Sequence, residues 1–308
     1  MNATLRHTLA LALLLIGSLA QAQQDGQYTQ YMYTPSVINP AYAGTRGVLS
    51  MTTQYRQQWA GLDGAPQTVN FTSNGPLKYE RMALGLTFIS DQIGPLSEQT
   101  LAGDFAYQIP LGQYTSLSFG IKGGLNLLNI DYSKLTVYDT TETLFRFDVD
   151  NRLSPVVGSG VYAYSDFWYA GLSVPNFLTT THYDDTTVSN ARERMTFNLM
   201  GGYVFYLNSL LKFKPTFLVR YTRGAPAIAD VSANFLFNNR LTLGASYRVT
   251  DAVSGLVGIQ VTKSLLLGYS YDAGTTQLGR YNQGSHEIFL RYDFAKKRDL
   301  KLLTPRFF

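Results

Sequence analysis

Segment after segment of alternating apolar and polar residues, an aromatic and glycine-rich composition, and no apolar run long enough for a membrane helix together predict an all-β fold. The architecture expected is a transmembrane antiparallel β-barrel of about 14 strands, with an irregular N-terminal segment and a short C-terminal tail. The 308 residues include 22 Tyr, 18 Phe and 27 Gly but only 15% charged residues, a balance that suits strands rather than helices. A helix needs roughly 20 apolar residues to cross a bilayer, and no later stretch approaches that, so any crossing must be made by strands.

The chain opens with Arg6, an apolar run from Leu9 to Ile16 and the small-residue pattern Ala20-Gln21-Ala22, which reads as a signal peptide over residues 1–22 with the mature chain starting at Gln23. There is no cysteine, hence no lipidation site, disulfide or thiolate. An exported chain whose strands cross a membrane belongs in the outer membrane, with lipid as its first partner.

Residues 23–45 form the next unit. From Tyr28 to Gly44 the chain is rich in tyrosine, lacks sustained alternation and carries Pro35 and Pro40, which disfavour a place in a strand ladder. Such a piece either plugs the lumen or forms a docking surface at the periplasmic mouth.

The barrel is expected over 46–294. Its strands are read near 47–57, 67–76, 81–92, 97–109, 114–127, 154–165 and 167–174, then 195–207, 210–222, 229–238, 240–249, 253–262, 265–274 and 284–294. The alternation is clearest where Leu117, Phe119, Ile121 and Leu125 share one face and Ser118, Gly120, Lys122 and Gly124 the other. An even strand number lets an antiparallel barrel close, and segments of about 10 residues suit a tilted crossing. Asn238-Asn239 and Thr250-Asp251 make tight connections, whereas 131–153 and 175–194 are long and polar. If the apolar face meets lipid, then Lys122, Lys214, Arg220, Arg248, Asp272, Arg291 and Asp293 point into the lumen. Residues 295–308 form a periplasmic tail with the basic run Lys296, Lys297, Arg298 and Lys301; the overall balance of 25 − 21 = +4 does not suggest nucleic acid.

Several stretches, taken in order, resemble the PorP/SprF family. They are Gln30-Tyr31-Met32 with Asn39-Pro40-Ala41-Tyr42-Ala43-Gly44, then Tyr55-Arg56-Gln57-Gln58-Trp59 with Gly64-Ala65-Pro66-Gln67-Thr68, then Ser285-His286-Glu287-Ile288, and last Pro305-Arg306-Phe307-Phe308. Phe307 stands where the family pattern leads one to expect Tyr. The resemblance implies an outer-membrane component of the type IX secretion system, serving protein secretion, surface anchoring of an adhesin or gliding motility. Its implied partners are other type IX components and a secreted adhesin that keeps its C-terminal sorting domain. The competing reading is a passive porin or hydrophobic-solute channel.

Candidate plug or partner-binding residues are Tyr28, Gln30, Tyr31, Asn39, Pro40 and Tyr42, followed by Arg56, Gln58, Trp59 and Pro66, and then His286, Glu287, Pro305 and Arg306. No enzyme, cofactor or metal site is expected. His7 leaves with the leader, and His182 sits with Asp184 and Asp185 in a long loop without converging ligands; His286, near the start of the last strand, could in principle serve a Ser–His lipase but is assigned to the barrel mouth.

Overall fold

The computed structural model describes residues 27–78, 81–134, 149–178 and 195–294. Its first strands are β1 (Leu49–Gln57), β2 (Gln67–Pro76), β3 (Met82–Ile93), β4 (Leu96–Pro110), β5 (Ser116–Ile130), β6 (Val149–Tyr164) and β7 (Trp168–Val174). They are followed by β8 (Thr196–Tyr203), β9 (Phe205–Tyr206), β10 (Leu211–Thr222), β11 (Ile228–Phe237), β12 (Leu241–Arg248), β13 (Ala252–Gln260), β14 (Leu265–Gly274) and β15 (Ser285–Phe294). β9 is a two-residue continuation of β8 beyond a break at the buried Val204, and both pair with β10, so the wall has 14 staves.

Every neighbour is antiparallel, and the sheet closes on itself where β1 pairs with β15, Leu49 opposite Phe294 through Gln57 opposite His286. Closure leaves no free edge, which a strand crossing lipid requires.

The pleat sorts the residues as the alternation predicts. On β15, Glu287, Phe289, Arg291 and Asp293 are buried while Ile288, Leu290, Tyr292 and Phe294 are exposed. On β5 the exposed residues include Ile121, at 61%, and Leu125. The protein is therefore apolar outside and polar inside, and all seven charged residues expected to point inward are buried. In the three-residue turn 238–240 between β11 and β12, Asn238 and Asn239 have φ of 47° and 52°, left-handed angles that asparagine tolerates better than most residues.

Two strands run further than expected. β5 continues to Ile130 and β6 starts at Val149, because Leu128, Ile130 and Tyr132 pack with Leu96 and Val149 in a small cluster of their own. There the two faces no longer separate lipid from lumen, so the alternation that marks a membrane strand fades. The tail 295–308, with Pro305 and Arg306, lies outside the described residues, as does most of each long connection.

A filled lumen and a blind funnel

The N-terminal segment lies inside the barrel. It contains one helical turn, α1 (Pro35–Ile38), and a 3₁₀ turn (Pro40–Tyr42), and every residue from Tyr28 to Arg46 is buried. Prolines that cannot serve a ladder here start short turns, where a missing N–H costs nothing.

Three sets of contacts hold it. The first centres on Glu287. One carboxylate oxygen accepts Gln30 N at 2.8 Å and Gln54 Nε2 at 2.5 Å, and the other accepts Thr29 N and Arg56 Nη1, each at 3.0 Å. Arg56 also pairs with Asp272 at 2.7 Å, and Asp272 accepts the Thr29 hydroxyl at 2.6 Å. A fully buried carboxylate is tolerated only when its lone pairs are used this completely.

The second set seats the Asn39-Pro40-Ala41 corner against β5, β6 and β7. Asn39 Nδ2 donates to Val161 O at 3.1 Å, Asn39 Oδ1 accepts Ala41 N at 2.9 Å, and Ser173 Oγ donates to Ile38 O at 2.9 Å. The wall makes room with glycine. A Cβ on Gly120 would collide with Ala41 N, and one on its cross-strand partner Gly160 would collide with Asn39 Oδ1. At Gly171 the added atom would meet Asn39 Nδ2 at 2.9 Å.

The third set ties the carboxyl end of the segment to β15 and β3. Arg46 pairs with Asp293 through two bonds, the shorter 2.6 Å, and Gly44, at φ 72°, turns against Ala83. Tyrosines fill the space between these ties. Tyr33 stacks on Phe289 with ring centroids 4.8 Å apart, Tyr42 meets Tyr162 edge-on at 5.6 Å, and Tyr31 OH bonds Thr216 Oγ1 at 2.9 Å. The Tyr28, Tyr31 and Tyr33 rings are all buried, Tyr31 completely.

Above the segment, a cavity of about 680 Å³ remains at the end that carries the long connections. Tyr28, Ile38, Arg56, Trp59, Ile89 and Arg248 are among its walls. Gln27 and Tyr28 line it while Val48 leads into β1 at the opposite end, so the segment crosses the lumen with its amino end towards the funnel. The funnel is thus closed below by the protein's own chain.

The candidate residues divide by place. Tyr28, Gln30, Tyr31, Asn39, Pro40, Tyr42, Arg56 and Glu287 meet in the lumen, with Tyr28 and Arg56 also bordering the funnel that Gln58, Trp59 and Pro66 line. His286 does not join them, because its neighbour Glu287 faces in and the pleat turns it out, where its ring meets Tyr271 and its Nδ1 meets Tyr269 OH at 2.8 Å. Thr29, Arg46 and the glycine seat were not singled out from sequence. The readable signal was Gly120, Gly160 and Gly171, inward-facing or cross-strand glycines on adjacent strands where a lumen filled only by water would tolerate side chains.

Two comparisons place the chain among known proteins. A family profile described as type IX secretion system membrane protein PorP/SprF matches residues 20–292. Among solved structures, the chain is similar to the CymD monoaromatic hydrocarbon channel, with 10% identity, a TM-score of 0.51, and coverage of 89% of this chain and 94% of that one. The Pseudomonas putida toluene transporter TodX matches at 9% identity and a TM-score of 0.49, over 88% and 98% of the two chains. The Acinetobacter baumannii outer membrane protein Omp33 matches at 9% and 0.46, over 80% and 100%. At 10% identity, the likeness to CymD speaks for the barrel alone. No curated protein matches the chain.

Proposed function

The chain belongs to the PorP/SprF family of type IX secretion system membrane proteins, and from that membership we propose that this outer-membrane barrel holds a secreted partner rather than passing solutes. The partner is an adhesin that keeps its C-terminal sorting domain, retained at the cell surface or handed on for gliding, with other type IX components alongside. One observation carries this reading: Tyr28–Gly44 fills the lumen and leaves a blind funnel at the long-connection end. Outer-membrane barrels place their long loops outside, so the funnel faces the surface where such a partner resides. A passive porin or hydrophobic-solute channel needs a continuous path, which a tied-down segment opposes.

Trp59 is the funnel's aromatic candidate for the partner contact, 37% exposed, with its backbone N–H donating to Ser285 Oγ at 3.1 Å. Affinity purification of the tagged protein from detergent-solubilised outer membranes, followed by mass spectrometry, should recover a large secreted protein with an intact C-terminal domain. Trp59→Ala should cut that recovery by about tenfold, the scale of an aromatic interface hot spot. Periplasmic ring components in its place would favour a role in the motor-coupled core. A barrel recovered alone would favour the channel.

A further inference from the structure

The two ends of the barrel differ in charge. Both the strand that follows the luminal segment and the last strand meet the short-connection end, whose turns are 77–81, 111–115, 165–167, 207–210, 238–240 and 261–264. Among their described residues, Lys78, Arg81, Arg240 and Lys263 are all exposed, against the single acid Asp166; the sequence adds Glu80 next to Arg81. Lys212 stands one residue inside β10, over the Tyr206 ring at 4.9 Å. At the other end the described turn residues balance, Asp63, Asp131 and Asp251 against Lys134, Arg223 and Arg280.

The cations are also gathered on one side. Around the wall they run from the β2–β3 turn across the β1–β15 seam to the turns β13–β14 and β11–β12 and to β10. The remaining turns at this end, β4–β5 and β6–β7, offer Leu111, Tyr114 and Phe167 instead. On the cationic arc, Leu207, Leu210 and Val261 are more than half exposed and continue the lipid-facing apolar surface into the turns. Apolar turn residues beside lysine and arginine match the level where acyl chains give way to phosphate.

We propose that this arc is a binding surface for anionic phospholipid headgroups of the periplasmic leaflet. Several phosphates are held together along it, which seats the barrel at a fixed depth and rotation. The inference depends on the barrel's place in the outer membrane and not on which partner the funnel takes. Each lysine or arginine near an anionic membrane surface contributes about a fivefold change in association, so the arc as a whole should select phosphatidylglycerol over phosphatidylethanolamine.

The test is native mass spectrometry of the protein drawn from nanodiscs containing both lipids, with heat-modifiable migration in gels as the check on folding. Wild type should retain phosphatidylglycerol preferentially, and added salt should weaken that retention. Combining Lys78→Gln, Arg81→Gln, Arg240→Gln and Lys263→Gln should reduce the enrichment by at least about tenfold. Arg223→Gln with Arg280→Gln, at the other end, should leave it unchanged. If the fourfold variant does not fold, the pairs Lys78→Gln with Arg81→Gln and Arg240→Gln with Lys263→Gln should each give a partial loss. Undiminished enrichment in the folded variants, or equal loss from the two ends, overturns the proposal. So does an arc that retains an acidic protein but no lipid.

Discussion

Valine at both Gly120 and Gly160 should give a barrel that folds, inserts and conducts ions in planar bilayers. The two glycines are cross-strand partners on β5 and β6, and even one added Cβ at either would meet the Asn39-Pro40-Ala41 corner. Neither has a backbone angle that reserves the position for glycine, and valine suits a strand, so the wall keeps its ladder. The cost therefore falls on the luminal segment, which must leave its seat. Stepwise conductance together with new protease sensitivity between Tyr28 and Gly44 is the expected pair of readouts. A silent, protease-resistant variant would mean that the corner can shift within the lumen.

The second large effect is at Glu287. Glu287→Ala removes the acceptor for Thr29 N, Gln30 N, Gln54 Nε2 and Arg56 Nη1 at once, and leaves Arg56 paired with Asp272. Breaking a buried ion pair by deleting one partner costs about 3–5 kcal/mol, which should lower the denaturant midpoint of the lipid-embedded protein accordingly. His286→Ala, one residue away on the outer face, should change it by less than about 0.5 kcal/mol. Equal effects at the two positions would show that Glu287 does not tie the luminal segment to the wall.

That contrast also shows what the sequence could reveal. Alternation identified the staves, their number and the inward residues, because a strand between lipid and lumen has two chemically opposite faces. It could not say that β5 and β6 extend past the membrane, where Leu128 and Ile130 find a local cluster, nor that β8 breaks at Val204. The Tyr28–Gly44 segment stood out as foreign to the wall through Pro35 and Pro40. Its choice between lumen and mouth, though, rested on contacts far apart in sequence, such as Gln30 with Glu287 and Asn39 with Val161. Motif residues were informative only after the pleat sorted them. His286 and Glu287 are neighbours in a family signature, yet one meets the lipid-facing tyrosines and the other the buried segment.

The most direct test of a lumen closed by its own chain is conductance of the purified protein in planar bilayers, compared with a variant lacking Tyr28–Gly44. The wild type should be silent and the deletion variant should open steadily, as a 14-stave barrel emptied of its core would. Steady conductance in the wild type, unchanged by the deletion, would contradict the account and return the barrel to the class of passive channels.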